Sequence, residues 1–366
     1  MKKIIQISFV VSVLVIFSLP VFFFDKKSKI SVQENRNLAE KPYIFSENRI
    51  NENIFKDYDN YLNDRFGGRQ KFIALNKAVN TFLRSNALNF NEKAIQGKDG
   101  WCFYLGDENL SDFYKTNLFD ESQKMKFAKN VKNTADWCKS QNIPCIFMVL
   151  PNKHSVYPEF YPFKRPEGIT RSDQIAEIFE NIGVNWIFPR DYLISKKSEY
   201  DFPLYYETGT HWNQKSALLT AEILWNKISE LLPDAKFPDV KYKIEKIEKD
   251  TYDSMLSMLN LPPAEDTRLF IKPSDCEFSD LYEYIRNDGA GGVETKSKNP
   301  KLPRLLVFRD SFFIALEPFV SPLFSQAEYR WKRFTEEDED YVLKYKPDII
   351  IFESVERYSP EIVQCN

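Results

Sequence analysis

After Phe90, continuous apolar runs alternate with segments in which apolar residues recur every three or four positions. Runs such as 144–150, 304–308 and 348–352 are typical of strands buried on both faces of a parallel sheet. The spacing in 121–141 and 216–232 is typical of amphipathic helices. This alternation predicts an α/β fold in which a parallel sheet is flanked by helices on both faces, giving three layers. Shorter elements are predicted at 100–105, 172–181 and 184–188, with Ser172 as the helix cap.

Two stretches depart from this alternation. Residues 29–90 are polar and mixed, and they predict an extended arm followed by a helical segment that a Gly-Gly pair at 67–68 interrupts. Residues 236–303 contain adjacent prolines and a glycine-rich run, which predict an irregular insertion or lid. The insertion lies within a domain that is expected to span residues 91–366.

The first residues predict a membrane anchor at 1–28. An uncharged stretch runs from Ile4 to Phe24 between flanking lysines, and its 21 residues, at about 1.5 Å each, span about 31 Å, the thickness of a bilayer's hydrocarbon core. Bulky residues at its end favour an uncleaved anchor, and a cleaved signal peptide is the alternative. The usual behaviour of a short N-terminal tail places the main body outside the cytoplasm. We therefore expect a single-pass protein of the cell inner membrane with its main body in the periplasm.

Composition narrows the class of protein. Apolar residues make up 43% of the chain, enough to bury a large core and to exclude disordered and small disulfide-rich classes. The formal charge is −3, from 50 basic and 53 acidic residues, which argues against a nucleic-acid-binding protein. The five cysteines form no CxxC pair, so zinc-ribbon and thioredoxin-like motifs are absent. Cys138 and Cys145 either pair with each other or are buried free thiols.

The chain has two histidines, His154 and His211, so a multi-histidine metal site is excluded. Ser311 stands in the turn between strand 304–308 and an expected helix, at the edge of the sheet where ligands bind in α/β folds. The free N–H groups of that helix could stabilise an oxyanion. The alternative is that Ser311 only caps the helix.

His211 lies in a polar loop before helix 216–232. It is a candidate for the base that takes the proton from a serine hydroxyl, which cannot act as a nucleophile unaided. The alternative is a histidine that is merely part of a hydrogen-bonded turn. His154 follows strand 144–150 and could contact a substrate, although the adjacent Lys153 disfavours a cationic imidazole.

Eight short segments occur in an order and spacing that together are fairly specific: Glu34–Leu38, Asp64–Gly67, Gly97–Trp101, Pro151–Lys153 with Val156–Pro158, Thr210–Trp212, Asp253–Leu256, Arg309–Phe312 and Lys346–Asp348. Together they resemble the SGNH hydrolase-like domain of the alginate O-acetyltransferase (AlgJ/AlgX-like) family, which is related to the GDSL esterases. The resemblance covers about residues 34–348.

The resemblance assigns the catalytic nucleophile to Ser311 and the catalytic base to His211. The base precedes the nucleophile in the chain, which fits the circularly permuted SGNH arrangement associated with the family. The family's triad Asp, two positions before the His, is replaced here by Gly209. Glu207 from the same loop or a backbone carbonyl could orient the imidazole instead, and loss of activity is the third possibility.

Other candidate residues stand next to this pair. Asp310 and Arg309 precede the serine and are possible supporting residues. Aromatic and polar residues near the strand ends and the His211 loop could contact a sugar. The candidate substrate-binding residues are Lys153, His154, Tyr157 and Trp212.

The resemblance implies a membrane-anchored, extracytoplasmic O-acetyltransferase or esterase that acts on an exopolysaccharide through a Ser-His acyl-enzyme. It implies no metal or organic cofactor, and a multi-pass membrane acyltransferase as the partner that supplies the acetyl donor. The alternative is a non-catalytic polysaccharide-binding or scaffold member of an export or acetylation complex, which Gly209 favours. A glycosidase with paired carboxylates has no local motif in its favour.

Overall fold

The computed structural model describes residues 24, 29–31, 36–46, 49–51, 53–66, 90–251, 254–288 and 292–364. The chain divides into two compact units, Met1–Asn89 and Phe90–Asn366. Within the described part, no helix is both long enough and apolar enough to cross a membrane. The predicted anchor at 1–28 lies outside the described residues except for Phe24.

The described part of the first unit contains short antiparallel strand pairs and one helix. The pairs are β1 (Ile30–Ser31) with β2 (Arg36–Asn37), and β3 (Phe45–Ser46) with β4 (Arg49–Ile50). Helix α1 spans Ile54–Arg65 and includes the start of the predicted helical segment. The Gly-Gly pair and the rest of that segment lie outside the described residues.

The second unit alternates strands with helices, as the hydrophobic pattern predicts. Its strands are β5 (Ala94–Gln96), β6 (Cys102–Tyr104), β7 (Cys145–Leu150), β8 (Trp186–Ile187), β9 (Tyr242–Asp250), β10 (Asp266–Pro273), β11 (Tyr282–Asn287), β12 (Gly292–Ser297), β13 (Arg304–Phe308), β14 (Gln326–Arg330), β15 (Phe334–Thr335), β16 (Ile349–Val355) and β17 (Val363–Gln364). Its helices are α2 (Asn109–Tyr114), α3 (Glu121–Ser140), α4 (Lys153–Val156), α5 (Arg171–Ile182), α6 (Arg190–Lys196), α7 (Gln214–Leu231), α8 (Phe278–Leu281), α9 (Glu317–Val320) and α10 (Glu339–Tyr345).

Seven strands form the central sheet in the order β11-β12-β14-β13-β16-β7-β8. The five strands from β14 to β8 are parallel, whereas β12 pairs antiparallel with both β11 and β14. The sheet is therefore mixed, and the expectation of a purely parallel sheet is wrong at this edge. The edge strands β11 and β12 are rich in charged residues and partly exposed, so they lack the apolar runs that reveal the central strands.

Helices cover both faces of the sheet. Alternate residues of the central strands point to opposite faces, so Ile146 and Met148 pack with α7, while Phe147 and Val149 pack with α3, α5 and α10. Helix α5 begins after Thr170, whose side chain accepts from the Asp173 amide and caps the helix. The cap is therefore Thr170 and not the predicted Ser172.

The stretch 236–303, predicted to be an irregular insertion, contains ordered strands. Strands β9 and β10 pair antiparallel as a separate ribbon, and β11 and β12 extend the central sheet. Strand β9 is largely exposed to solvent, whereas alternate residues of β10 are buried. Cys138 and Cys145 are both buried and no disulfide joins them, so the disulfide alternative between them is wrong.

Candidate active site

Three neighbouring strands of the sheet end at the same edge. Strand β13 leads into Ser311, β16 leads into Glu356 and Arg357, and β7 leads into Asn152. Because parallel strands place their carboxyl ends together, this edge is where an α/β protein of this kind presents its chemistry. The observed topology therefore brings segments from three distant parts of the chain to one place.

Ser311 and His211 meet at this edge. The imidazole Nε2 of His211 lies 2.9 Å from the hydroxyl Oγ of Ser311, and both residues are partly exposed. The predicted proximity of these two side chains, which are 100 residues apart in the chain, is confirmed. The other ring nitrogen, Nδ1, lies 3.0 Å from the hydroxyl Oγ1 of Thr210. A hydroxyl in contact with an imidazole nitrogen is the arrangement that activates a serine nucleophile.

The turn that carries Ser311 is held by Asp310. One carboxylate oxygen of Asp310 accepts from the Phe312 amide at 2.9 Å, and the other accepts from the Val355 amide at 2.8 Å. Asp310 is therefore the cap of this turn, and Ser311 is its first residue. The turn is a short 3-10 helix, Ser311–Ala315, so the regular helix expected here is absent from this part of the described chain.

Arg309 lies on the buried side of the same turn. Its guanidinium forms an ion pair with Glu317 at 3.0 Å and stacks on the Trp331 ring. Burial raises the pKa of the Glu317 carboxyl to about 7, although Arg309 acts in the opposite direction. Asp310 and Arg309 thus hold the turn that carries Ser311 through contacts with buried parts of the protein.

The loop that carries His211 is a narrow hairpin. The Tyr206 amide donates to the carbonyl of His211 at 3.1 Å, and the Asn213 amide donates to the carbonyl of Leu204 at 3.0 Å. The side chain of Asn213 accepts from the first amides of helix α7 and caps it. The loop is therefore fixed at its base to a long helix.

Asp266 fixes the middle of the His211 loop. Its carboxylate is fully buried and accepts from both the amide and the hydroxyl of Thr208, at 2.9 Å and 2.6 Å. Asp266 lies at the start of β10, in the stretch predicted to be an irregular insertion, and no local motif marks it. Its role therefore could not be identified from the sequence pattern.

The predicted substrate-binding residues are buried. The ammonium of Lys153 donates to the backbone carbonyls of the His211 loop, and Tyr157 accepts from the Leu204 amide through its hydroxyl. Burial and the neighbouring Arg165 and Arg357 hold the pKa of His154 well below its usual range. The four residues Lys153, His154, Tyr157 and Trp212 are each at most 5% exposed, so none of them offers a free surface to a substrate.

Gly209 stands where the resembled family has its triad Asp, and Glu207 is the candidate to replace that acid. The backbone carbonyls of both residues accept from Lys153. Burial and the nearby Asp266 raise the pKa of the Glu207 carboxyl. The structure thus places the backbone of this pair against a buried cation.

Arg357 is a site residue that the sequence analysis missed. Its guanidinium lies 5.3 Å from the centre of the Phe312 ring, and its Nη1 donates to the side-chain oxygen of Asn152 at 3.0 Å. It follows the carboxyl end of β16, so the rule that identified Ser311 also applies to it. Among the described residues, no three His, Cys, Asp or Glu side chains are grouped so that they could hold a metal ion.

The comparisons with known proteins agree with this fold. The sequence model of the family described as "SGNH hydrolase-like domain, acetyltransferase AlgX" matches residues 94–277, which is half of the chain. Among curated proteins, none gives a significant match.

Solved structures are similar at low sequence identity. Bacillus cereus PatB1 with a sulfonyl adduct is 14% identical, with a TM-score of 0.54, over 75% of this chain and 100% of its own. The O-acetyltransferase domain of Pseudomonas putida AlgJ is 16% identical, with a TM-score of 0.49, over 74% of this chain and 94% of its own. At these identities, the similarity to PatB1 shows a common fold.

Proposed function

The chain belongs to the family of the SGNH hydrolase-like domain of the acetyltransferase AlgX, and on this basis we propose that it is an O-acetyltransferase that acts on an exopolysaccharide through an acetyl-Ser311 intermediate. The observation that carries the proposal is the 2.9 Å contact between His211 Nε2 and Ser311 Oγ at the ligand-binding edge of the sheet. Family membership gives the reaction class, and this contact supports the residues.

The reaction proceeds in two transfers. Ser311 Oγ attacks the carbonyl carbon of the acetyl donor as His211 Nε2 takes the hydroxyl proton, and the bond to the donor breaks as that proton passes to the leaving group. A sugar hydroxyl then attacks the acetyl-serine while His211 takes its proton. The acetyl group moves to the sugar oxygen, and the proton returns to Ser311 Oγ. When water takes the place of the sugar, the same steps give hydrolysis.

The imidazole must be held in one orientation for these transfers. An Asp does this in most triads, and its loss lowers the rate by several orders of magnitude. In this chain, Thr210 Oγ1 contacts Nδ1, while Lys153 holds the carbonyl of Gly209 and Asp266 holds the amide of the preceding Thr208. The rigidity of this loop therefore contributes to the orientation of His211.

The proposal includes a membrane anchor at 1–28 and a periplasmic main body. An acetyl-coenzyme donor is confined to the cytoplasm, so the acetyl group would come from a multi-pass membrane acyltransferase. The order of His211 before Ser311 in the chain supports a circularly permuted SGNH arrangement. The acceptor is a polysaccharide outside the cytoplasm.

A second candidate function is a non-catalytic, polysaccharide-binding scaffold of the same kind of complex. Gly209, at the position of the family's triad Asp, is the observation that favours it. The scaffold hypothesis predicts an unreactive Ser311, so the two functions can be separated by the reactivity of this hydroxyl.

Covalent labelling of the purified full chain tests the proposed function. We expect a sulfonyl fluoride to add its sulfonyl group to Ser311 Oγ with loss of fluoride, and an activated acetyl ester to acetylate the same oxygen. Mass spectrometry of the digested protein locates both adducts. The variant Ser311→Ala should carry no adduct, and His211→Gln, which keeps the hydroxyl but removes the base, should react at least about 100-fold more slowly. Equal labelling of the wild type and both variants would reject the acyl-enzyme mechanism.

A further inference from the structure

Lys153 is a buried cation behind the His211 loop. It is the first residue of α4, directly after β7, and is 5% exposed. Its ammonium lies 5.6 Å from the centre of the Trp101 ring and 5.1 Å from that of Phe103. Burial of an ammonium is costly unless its hydrogen bonds are satisfied, so its partners indicate why it is there.

Three of these partners are carbonyl oxygens of one short segment. The Lys153 Nζ donates at 3.0 Å to the carbonyl of Tyr206, at 3.0 Å to that of Glu207, and also to that of Gly209. An ammonium has three N–H donors, which equals the number of these acceptors. The segment therefore curves around the cation, and it ends two residues before His211.

Asp266 holds the same segment with a carboxylate, which binds a backbone amide instead of backbone carbonyls. It accepts from the amide of Thr208, the residue between the two parts of the Lys153 contact. The carbonyl of Glu207 and the amide of Thr208 are opposite ends of one planar peptide group, so the cation and the anion fix that peptide from its two sides. This pattern determines the path of the backbone up to Thr210 and His211.

We propose that Lys153 is a positioning residue for His211. Its ammonium holds the carbonyls of residues 206–209 so that the imidazole faces Ser311, and it replaces through the backbone part of the orientation that an Asp side chain supplies in the related triads. An uncharged side chain of similar length would take this shared donor from three carbonyls. The Glu207 carbonyl would keep the Cys102 amide at 2.8 Å, but the bonds that tie the carbonyls of Tyr206 and Gly209 to the same cation would be lost. The inference rests on the proposed function for its catalytic meaning, whereas the coupling between Lys153 and His211 can be measured without catalysis.

The two histidines of this chain make the test direct, because ¹⁵N-histidine labelling of the full chain gives signals from His211 and His154 alone. The measured quantity is the change in the His211 Nε2 resonance when Ser311 is replaced by Ala. We expect this change in the wild type and its loss in Lys153→Met. Lys197→Met is the matched control, since Lys197 donates to the carbonyl of Val156 and to Glu159, outside the His211 loop, and it should keep the full change.

Kinetics of an acetyl-ester reporter give a second readout. A displacement of about 1 Å between base and nucleophile lowers a rate about 100-fold, so kcat of Lys153→Met should fall by about that factor while KM changes little. Lys197→Met should keep kcat within about threefold of the wild type. A fall in kcat with little change in KM indicates a displaced base, because KM would rise if Lys153 bound the substrate.

The outcomes separate this inference from the proposed function. A full-size Ser311→Ala effect on His211 in the Lys153→Met background overturns the positioning role, whatever the activity. If Lys153→Met does not fold, Lys153→Gln takes its place: its amide keeps two donors, and we expect a reduced effect, with a full-size effect again overturning the inference. A wild type that shows the coupling but no adduct at Ser311 would reject the proposed function and leave the positioning role standing.

Discussion

The indole Nε1 of Trp212 donates to the backbone carbonyl of Phe312 at 2.9 Å. Trp212 directly follows His211, and Phe312 directly follows Ser311, so the bond joins the immediate neighbours of the proposed base and the proposed nucleophile. Both side chains are buried. The link fixes the spacing between the His211 loop and the Ser311 turn independently of the contact between the reactive side chains themselves.

Replacing Trp212 by Phe should therefore lower activity, and the loss should be larger than the accompanying loss of stability would cause by itself. Trp212→Phe keeps an aromatic ring but removes the indole donor from a buried carbonyl, at a cost of about 1 kcal/mol in the free energy of unfolding. We expect kcat/KM of an acetyl-ester reporter to fall about tenfold or more. Urea unfolding and reporter kinetics on the same preparation measure the two effects.

Trp225 provides the control for this prediction. Its Nε1 donates to the carbonyl of Phe319 at 3.0 Å, the same kind of bond between α7 and α9. Trp225→Phe should show a similar loss of stability and nearly unchanged kcat/KM. If both variants lose activity in equal measure, the Trp212 link has no special role in the alignment.

Restoring the family's acid at position 209 should increase activity. Gly209→Asp places a carboxylate two residues before His211, where it can orient the imidazole and stabilise its cation. Among the described glycines, positive φ angles occur at Gly100, Gly168 and Gly183, so the backbone at Gly209 does not require a glycine. We expect a gain of about tenfold or more in reporter hydrolysis, provided that thermal unfolding shows an intact fold.

Gly209→Asn separates charge from volume in this experiment. It adds a side chain of the same size without the negative charge, and we expect no gain from it. No activity and no Ser311 adduct in the wild type or in either variant would favour the scaffold function.

The buried Glu317 should make stability depend on pH. Its pKa is raised to about 7 from an ordinary value of 4.5, so the folded state retains the proton that the unfolded state releases. The free energy of unfolding therefore falls as pH rises from about 4.5 to 7, by at most about 3 kcal/mol from this group, and the loss is complete above pH 7. Glu317→Gln should remove this dependence, so the stability of the wild type relative to the variant should decrease between pH 5 and pH 8.

Urea unfolding at these two pH values measures the effect. Glu121→Gln, at an exposed position of α3, is the control and should show the same difference from the wild type at both pH values. A wild-type stability that rises relative to Glu317→Gln over this range would contradict the prediction.

The parts of the fold that could be predicted were those with continuous burial. Strands β7, β13 and β16 each contain at least four consecutive apolar residues, and the carboxyl end of β13 directed attention to Ser311. Strands β9 to β12 were missed because their charged residues make one face polar, and a half-exposed strand with many charges resembles a loop.

Within the site, the predictable part was the contact between His211 and Ser311. The role of Lys153 could not be predicted, because a lysine just past a strand end is as consistent with a bound substrate as with buried carbonyls. The tertiary structure alone determines which partner it meets. Asp266 was missed for the same reason, since it contacts Thr208 across 58 residues of chain.

Strand β16 is the last of the seven sheet strands along the chain, yet it lies between β7 and β13. Strand β7 supports the His211 loop through Lys153, and β13 leads into Ser311, so the two halves of the reactive pair flank a strand that the ribosome adds after both. A nascent chain that stops before Ile349 contains both side chains without the element that joins their supports. The central sheet that brings Ser311 and His211 to one edge is therefore complete only when the last of its strands in the chain has been synthesised.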